Sequence, residues 1–506
     1  MEWSMKNRGV RTMFEKITPE EAGVSSRHIE QYISMLERRG MTIHGILMMK
    51  GDKVFTEHYW APFHQNFCHR AYSQTKSFVG IAIGLLIDDG KLKLNDKICQ
   101  FFPEKIEQEL FPELANQTIE QMLTMTTVGG CASWFEREAC DRTKLYFEPR
   151  KRYRLPGTIW KYDSAGSQVL SALVEKLSGK SLFEYLNERI FSHLGTFRTA
   201  EILKTPNGDS WGDSAMICTL RDMASFGRLL MKNGAWEGKQ LISEEYVKKA
   251  TSNIVDNRIN CHEDVFSHGY GYQIWRTEQN GFAFNGMGAQ LTICLPEKDL
   301  LFTVYGDNQG HVAAKSIIVG GFMDYIASTM SQEALPEDKC AEHLLEERTR
   351  DLKMRAIQGN ADSPYRKRIS GKTYICEDNA LGIEKFAFFF DDTDEGEFRY
   401  TNQQGNKTIR FGINKNVFGK FPQYGYSNEC GGVPTTDGYL YDDAVSLCWA
   451  SDNRILMCIQ IIDRYFGKVS AVFGFHDKDA VCHFEKNAED FLKEYEGDFL
   501  AHCGDI

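Results

Sequence analysis

The sequence predicts a mixed α/β (α+β) protein, with one antiparallel sheet flanked by helices and a second antiparallel β domain after it. Three observations support this fold class. Strand patterns occur near the amino terminus and return after Gly269, and the segment between them is mostly helical. Beyond about Glu333 the chain becomes charged, and then aromatic with short strand-like runs. This order fits a sheet shared by the first and the later strands, with a helical insertion between them.

The first three elements are predicted from local patterns. The stretch that begins at Thr18 supplies a cap, a proline and acidic residues, which predict the start of an introductory helix within residues 15–40. Residues 45–59 contain two apolar runs joined by a turn and predict a β-hairpin. After Ser73, apolar residues recur at helical spacing and predict a buried helix that ends near Gly90.

The helices of the insertion and the strands that follow it are predicted in the same way. Helical spacing or capping patterns mark three segments, which are residues 118–125, 167–177 and 219–231. Strand patterns mark four later segments, which are residues 270–276, 281–284, 291–295 and 300–305. A helix over residues 312–329 then completes this part of the chain.

These patterns divide the chain into three parts. Residues 1–333 are assigned to the first domain, residues 334–368 to a linker or surface helix, and residues 369–506 to a β-rich, barrel-like accessory domain. Short strand-like runs at regular spacing, separated by Gly, Asn and Asp, support the last assignment. This domain could cover a cleft or form an oligomer contact, so a homo-oligomer is one assembly that the sequence allows.

Charge and hydropathy exclude several function classes. The net charge is −11 and the pI is about 5.7, so a nucleic acid or an anionic membrane would be repelled on average. No window reaches the roughly 18 apolar residues of a membrane span. The amino terminus also lacks the apolar segment of a secretory signal. We therefore expect no nucleic-acid partner and no membrane partner.

The cysteines indicate the compartment. Fourteen cysteines are scattered without a C-x-x-C pair, and several, such as Cys294 and Cys448, lie inside apolar runs. Such residues behave as small buried hydrophobes in a reducing compartment, which predicts a cytoplasmic protein. The sequence has no His-x-x-x-His motif and no acidic cluster that requires a metal, so we expect neither a metal nor another cofactor.

Ser73-Gln-Thr-Lys76 is the first candidate for chemistry. A serine hydroxyl is a poor nucleophile unless a base lies beside it. On a helix, side chains three residues apart share a face, so Lys76 can reach the Ser73 oxygen. The positive end of the helix dipole favours negative charge at Ser73 and disfavours a protonated Lys76. Taken alone, a serine cap followed by a surface lysine is a common structural pattern.

Two further segments could complete such a site. Tyr162 could relay a proton between the serine and a leaving group, although a buried tyrosine is often tethered by its hydroxyl for structural reasons alone. Between Phe284 and Gln290, two glycines would allow a ligand close to the backbone, where a free N–H could help to hold an oxyanion. A simple glycine turn between two strands explains that segment equally well.

In their order and spacing, Ser-x-x-Lys, Tyr-x-Ser and Gly-x-Gly-x-Gln resemble the serine β-lactamase-related hydrolases. The branch concerned contains class C β-lactamases, D-alanyl-D-alanine carboxypeptidases, esterases and 6-aminohexanoate-dimer hydrolases. Further similar phrases occur at residues 121–127, 155–166, 220–230 and 269–275. The likeness extends over about residues 15–330. It implies the fold of β-lactamases and penicillin-binding proteins, and a serine hydrolase that uses an acyl-enzyme.

The resemblance also implies residue roles. Ser73 would be the acylated nucleophile, Lys76 the adjacent base and Tyr162 the partner general acid/base. Backbone N–H groups of Ser73 and of either Ala289 or Gln290 would form the oxyanion hole. The expected substrate contacts come from five residues, which are Ser164, Met287, Gly288, Trp134 and Trp211.

Two departures from the family pattern bear on the substrate. Ser164 stands where the family commonly has Asn, and a hydroxyl lacks the paired donor and acceptor of an amide. Met287 stands where the family usually has a Lys or His, which would help to bind a carboxylate. The first departure weakens the expected recognition of an amide side chain, and the second favours a small-molecule ester or amide without that carboxylate. The alternatives are β-lactamase, D,D-peptidase or D-aminopeptidase activity, an acyltransferase that uses the same acyl-enzyme, and a catalytically silent penicillin-recognising protein.

Overall fold

The computed structural model describes residues 14–131, 141–149, 151–424, 439–489 and 491–504. The strands of its first part are β1 (Glu15–Lys16), β2 (Ile43–Lys50), β3 (Lys53–Tyr59), β4 (His69–Arg70), β5 (Glu201–Ile202), β6 (Met216–Cys218), β7 (Ala235–Trp236), β8 (Lys239–Gln240), β9 (Trp275–Arg276), β10 (Phe282–Gly286), β11 (Gln290–Leu295) and β12 (Leu300–Gly306). The helices of this part are α1 (Ser26–Arg38), α2 (Thr75–Asp88), α3 (Pro112–Ala115), α4 (Ile119–Leu123), α5 (Arg142–Tyr146), α6 (Ser164–Ser178), α7 (Leu182–Leu186), α8 (Ser192–Leu194), α9 (Leu220–Met231), α10 (Glu244–Ala250) and α11 (Ala314–Phe322).

A seven-stranded sheet forms the centre of this part, in the order β1-β3-β2-β12-β11-β10-β9. Neighbouring strands are antiparallel except at one edge, where β1 runs parallel to β3. Strands from the beginning and from the end of this part therefore share one sheet, and most of the helices are inserted between them. This confirms the fold class and the order of elements predicted from the sequence.

Each face of the sheet has its own apolar core, because successive side chains of a strand point to opposite faces. Ile46 and Met48 of β2 belong to the core that includes α1 and α11. Leu47 and Met49 belong to the core that includes α2 and α9. The sheet is thus covered on both sides, and α2 is buried from Thr75 to Leu86.

Two predicted elements differ in the structure. The introductory helix begins at Ser26, because the turn that starts at Thr18 is closed by its own capping hydrogen bonds and ends before the helix. The predicted strand over residues 270–276 is reduced to β9. Its first half leaves the sheet because the backbone of Tyr270 pairs with Val255 instead.

The second part of the chain is a β-barrel preceded by two helices. The helices are α12 (Lys339–Thr349) and α13 (Tyr365–Ile369). The strands are β13 (Tyr374–Cys376), β14 (Lys385–Phe390), β15 (Glu395–Asn402), β16 (Gly405–Ile413), β17 (Val417–Lys420), β18 (Asp442–Ser451), β19 (Arg454–Ile462), β20 (Phe466–His476), β21 (Asp479–Ala488) and β22 (Gly497–Cys503). Among the described residues, no helix combines the length and the apolar character that a membrane crossing requires.

The barrel closes through a parallel pairing between β16 and β18. All the other neighbours in the order β16-β15-β14-β13-β22-β21-β20-β19-β18-β17 are antiparallel. Aromatic rings fill the interior, and Phe388 lies 5.0 Å from Phe398 and 4.9 Å from Phe473 between ring centres. The predicted C-terminal antiparallel β domain is therefore confirmed as a closed barrel.

Candidate active site

Ser73 lies at the junction between a short strand and the buried helix α2. Residues Tyr72–Gln74 form one 3-10 turn between the end of β4 and the start of α2. Tyr72 has φ +48, a left-handed conformation that bulky residues rarely adopt. Ser73 is partly buried and lines a cavity of about 290 Å³. The turn thus presents the Ser73 side chain to a space that a small molecule could enter.

Lys76 contacts Ser73 from the first turn of α2. Its Nζ donates to Ser73 Oγ at 3.0 Å and to the backbone carbonyl of Asp213 at 2.7 Å. The Asp213 carboxylate lies 3.6 Å from the same Nζ, and both side chains are 2% exposed. The centre of the Tyr162 ring is 4.9 Å from Nζ. The structure therefore brings Ser73, Lys76 and Tyr162 together, and adds Asp213, which sequence reasoning did not single out.

Burial and the neighbouring side chains act on the pKa of Lys76 in opposite directions. Burial lowers the pKa of Lys76, but the Tyr162 oxygen and the Asp213 carboxylate outweigh burial and raise it above its ordinary value of 10.5. Burial also raises the pKa of Asp213, although the nearby cations Lys76, Arg142 and Arg70 oppose this effect. A helix terminus contributes about 0.3–1 kcal/mol, whereas two charges about 4 Å apart contribute about 4 kcal/mol at an effective dielectric of about 20. Within the site, the neighbours of Lys76 therefore favour its ammonium form by more than the helix dipole disfavours it.

Tyr162 is held between an aromatic ring and a helix cap. Its ring stacks on that of Trp275, with ring centres 5.6 Å apart. The next residue, Asp163, caps α6, since its carboxylate accepts from the Gly166 N–H at 3.0 Å and from the Thr127 hydroxyl at 2.6 Å. These bonds fix the backbone that carries Tyr162, because a buried carboxylate loses several interactions if it moves.

The end of β10 forms another wall of the cavity, with Asn285, Gly286 and Met287. Gly286 packs directly against the turn that precedes Ser73. A Cβ at position 286 would lie 2.4 Å from the carbonyl oxygen of Ala71. Only glycine allows this close approach of the two backbones. The strand end and the nucleophile turn are therefore held at contact distance.

Ala289 and Gln290, the predicted sources of the second oxyanion N–H, lie behind this wall. They are 1% and 0% exposed, and neither lines the cavity. The Gln290 amide donates to the carbonyl of Met287 at 3.0 Å and accepts from the N–H of Gly306 at 3.1 Å. Gly288, predicted as a substrate contact, forms the tight turn with φ +72 and is also absent from the lining. Met287, the first residue after β10, is the one of this set that borders the cavity.

A charged pair that sequence reasoning missed lies in the same cavity. Lys315 Nζ and Glu263 Oε1 are 2.6 Å apart, and the Asn285 amide donates to Glu263 Oε2 at 2.7 Å. No local motif marks these residues, because they come from α11, from the loop before β9 and from β10. The third motif carries no cation, as the sequence showed at Met287, but Lys315 supplies one from another element.

Other predicted substrate contacts lie elsewhere. Ser164 opens α6 and borders a neighbouring cleft instead of the Ser73 cavity. Trp211 is 2% exposed, and the guanidinium groups of Arg70 and Arg142 lie over its ring at 4.8 and 4.4 Å. It is therefore a packing residue and not a cavity residue. Trp134 lies outside the described residues. Within the described part of the chain, no group of three or more His, Cys, Asp or Glu side chains is arranged to hold a metal ion.

Comparison with known proteins agrees with this fold. The Beta-lactamase family model matches residues 26–314, which is more than half of the chain. The chain belongs to the beta-lactamase family. It thus belongs to the group that its motifs resemble.

Two relatives and one further structure show the extent of the similarity. The 6-aminohexanoate-dimer hydrolase of Paenarthrobacter ureafaciens is 24% identical over 216 residues, which cover 40% of this chain and 55% of that protein. The match thus spans about half the length of that relative. A Bacillus anthracis protein assigned as a 6-aminohexanoate-dimer hydrolase is similar in fold, with a TM-score of 0.52 and 19% identity over 64% of this chain and 89% of that chain. An octameric penicillin-binding protein homologue of Pyrococcus abyssi has a TM-score of 0.49 and 16% identity over 94% of this chain and 99% of that chain.

Proposed function

We propose that this protein is a serine hydrolase that forms an acyl-enzyme at Ser73 with a small-molecule ester or amide. The observation that carries the proposal is the 3.0 Å contact between Lys76 Nζ and Ser73 Oγ, beside a cavity that Tyr162 also lines. A serine hydroxyl bonded to a cation, with a second proton carrier nearby, has the parts that acyl transfer requires. Membership of the beta-lactamase family and similarity to an amide hydrolase support this chemistry.

The charge of Lys76 decides how the proton moves in this proposal. In this proposal Lys76 is an ammonium ion paired with Tyr162 as a phenolate, and the Tyr162 oxygen accepts the Ser73 proton as Ser73 Oγ attacks the substrate carbonyl carbon. Lys76 stabilises the negative charge that develops beside it, and the backbone N–H groups of Ser73 and Met287 hold the oxyanion. Tyr162 then protonates the leaving group, and the carbon–heteroatom bond breaks. A water molecule then gives a proton to Tyr162 and attacks the acyl carbon; the ester bond to Ser73 breaks, and Tyr162 returns the proton to Ser73 Oγ as the acid leaves.

The cavity favours a short substrate with a polar end. Trp160 and Trp275 provide an aromatic wall, and the Lys315–Glu263 pair provides a charged one. The 6-aminohexanoate dimer is a linear amide with an amine at one end and a carboxylate at the other. Because Glu263 and Lys315 are in direct contact, the pair can receive one end of such a molecule, with Glu263 binding an amine or Lys315 binding a carboxylate. We therefore propose short esters and linear amides as the substrate class.

Turnover by wild type and by Ser73→Ala tests the proposal. The substrates are a short p-nitrophenyl ester, the 6-aminohexanoate dimer and a chromogenic cephalosporin. We expect ester and amide turnover that is lost in Ser73→Ala, with little cephalosporin cleavage. Ser77→Ala is the matched control, because the Ser77 hydroxyl donates to the Gln273 carbonyl at 2.8 Å and does not line the cavity. Turnover that survives in Ser73→Ala, or a wild type inactive on every substrate, would overturn the proposal.

We also propose that the protein works in a reducing compartment such as the cytoplasm. Cys218 and Cys294 are buried free thiols, and burial raises the pKa of both, which keeps them unreactive. Immunodetection after fractionation of cells that produce the protein would test this location, and recovery outside the cytoplasm would contradict it.

A further inference from the structure

The residue before Ser73 is bonded to the barrel. The Tyr72 hydroxyl donates to the Phe466 carbonyl at 3.1 Å and accepts from the Phe466 N–H at 3.1 Å. Phe466 is the first residue of β20, directly after the turn that follows β19. Both residues are 0% exposed. One barrel residue thus uses both of its backbone polar groups to hold the side chain adjacent to the nucleophile.

Tyr72 needs such a contact because its backbone conformation is strained. A bulky residue at φ +48 is strained and persists only when its surroundings hold it. Within its own domain, Tyr72 is held by the Thr75 hydroxyl, which donates to the Tyr72 carbonyl at 2.6 Å. The bonds to Phe466 hold the other end of the residue. The orientation of Ser73 follows directly from the conformation of Tyr72, since the two residues share a peptide bond.

Further contacts hold the barrel turn itself against the catalytic domain. The Phe466 ring stacks on His69, with ring centres 3.7 Å apart and an interplanar angle of 5°. The Gln309 amide donates to the Phe466 carbonyl at 2.6 Å. Just after β21, Glu489 forms an ion pair at 2.9 Å with the buried guanidinium of Arg70. The turn is therefore fixed to the strand that leads into the nucleophile turn, and to the segment after β12.

The same contact region also reaches the opposite wall of the cavity. Tyr72, Phe466 and Phe63 form one small apolar cluster, and Met287 packs against it. Met287 follows β10 and Ser73 follows Tyr72. Ser73 and Met287 carry the proposed oxyanion N–H groups, and both lie next to the contact with the barrel. Ser73 follows Tyr72 in the chain, and Met287 packs against the cluster.

We propose that the barrel positions the nucleophile, with Phe466 and the Tyr72 hydroxyl holding the Tyr72–Gln74 turn in the conformation that orients Ser73. This inference rests on the proposed acyl-enzyme at Ser73. Tyr72 and Phe466 are positioning residues, since neither lines the cavity. The barrel is then a functional part of the active site, and its closed sheet provides a rigid support for the turn.

Tyr72→Phe tests the proposal, because it removes the hydroxyl and keeps the ring. We expect the rate of Ser73 acylation, measured as the burst with a p-nitrophenyl ester, to fall between about tenfold and about a hundredfold, since small misplacement of reacting groups costs this much. The dissociation constant of the non-covalent ester complex, taken from the dependence of the burst rate on ester concentration, should change little, because Tyr72 does not line the cavity. Hydrogen–deuterium exchange of the peptide that contains Ser73 should become faster.

Two control variants separate positioning from general destabilisation. Tyr400→Phe removes a buried hydroxyl that bonds Tyr495 at 2.7 Å inside the barrel. Glu201→Gln removes an exposed ion pair to Arg464, at 2.7 Å, between the two domains. Both should leave the burst rate and the exchange of the Ser73 peptide as in wild type.

Two results would overturn the inference. One is a burst rate in Tyr72→Phe equal to that of Tyr400→Phe. The other is unchanged exchange of the Ser73 peptide. If wild type forms no acyl-enzyme, the proposed function fails, and the exchange measurement still decides whether the barrel holds the Tyr72–Gln74 turn.

Discussion

Asp213→Asn perturbs the charge assigned to Lys76 more selectively than any other substitution in the site. Asparagine keeps the size of the side chain and the backbone carbonyl to which Lys76 donates at 2.7 Å. It removes the carboxylate that lies 3.6 Å from Lys76 Nζ. The Lys76 pKa should therefore fall, because the ammonium ion loses its partner and remains buried.

The size of the change follows from the geometry. Unit charges about 4 Å apart interact by about 1 kcal/mol in water and about 4 kcal/mol at an effective dielectric of about 20. One pH unit corresponds to about 1.36 kcal/mol. Both side chains are 2% exposed, so the aqueous value is a lower limit. We expect the Lys76 pKa to fall by about 1–3 pH units in Asp213→Asn.

The assay is the pH dependence of kcat/KM for a p-nitrophenyl ester, which reports groups of the free enzyme. In wild type, loss of the Lys76 proton lies above 10.5. In Asp213→Asn the alkaline limb should move down by about 1–3 units, and the acid limb should stay in place. Asp209→Asn is the matched control, since this partly buried carboxylate belongs to the same loop and accepts from the Asn207 amide at 2.8 Å.

A shift of the acid limb instead of the alkaline limb would contradict this assignment of charge to Lys76. If neutral Lys76 were the base, a lower pKa would shift the acid limb to lower pH and increase the rate near neutrality. An Asp213→Asn profile identical to wild type would show that the carboxylate does not control the charge of Lys76.

Three further predictions concern other parts of the molecule. In steady-state kinetics, Lys315→Met should raise KM about tenfold for an ester that ends in a carboxylate, because a charge-assisted bond is lost. The KM for an uncharged ester should not change. Gln290→Leu should lower the free energy of unfolding by about 2–4 kcal/mol in urea titrations, because buried backbone groups of Met287 and Gly306 lose their partner; an effect below about 0.5 kcal/mol would count against this. Burial lowers the pKa of His69 to about 3, so the unfolded chain binds a proton below about pH 6.5 that the folded protein does not. Through this residue, the free energy of unfolding should fall by about 1.36 kcal/mol per pH unit between about pH 6 and pH 4. Urea titrations at these two pH values should show a smaller fall for His69→Gln than for wild type.

Local sequence patterns predicted the helices and strands that are determined by short-range spacing of apolar residues. The hairpin of β2 and β3 and the buried helix α2 were found because strand alternation and helical spacing are properties of short segments. Thr219 and Asp222 were likewise recognised as a capping box, and both capping bonds are present. The start of α1 was wrong by several residues, because the Thr18 turn has the same capping chemistry but does not continue into a helix.

The candidate site was only partly predictable. Ser73 and Lys76 are three residues apart, so one helical turn brings them together. Asp213 is 137 positions from Lys76, and the Glu263–Lys315 pair spans 52 positions, so only the folded chain shows these contacts.

The contact with the barrel was equally invisible in the sequence. Tyr72 bonds Phe466 across 394 positions, and it does so through backbone atoms of Phe466 that carry no sequence signal. The sequence predicted a separate β domain but not its contact with the nucleophile turn. Contacts of this kind depend on tertiary packing, which local sequence patterns do not show.

The central claim is that Ser73 carries the acyl group, and peptide mapping by mass spectrometry tests it most directly. Wild type and Ser73→Ala are mixed with a slowly hydrolysed p-nitrophenyl ester, quenched in acid and digested. We expect an acyl mass on the peptide that contains Ser73 in wild type, and no adduct in Ser73→Ala. An adduct on another residue, or ester turnover with no adduct at Ser73, would contradict it.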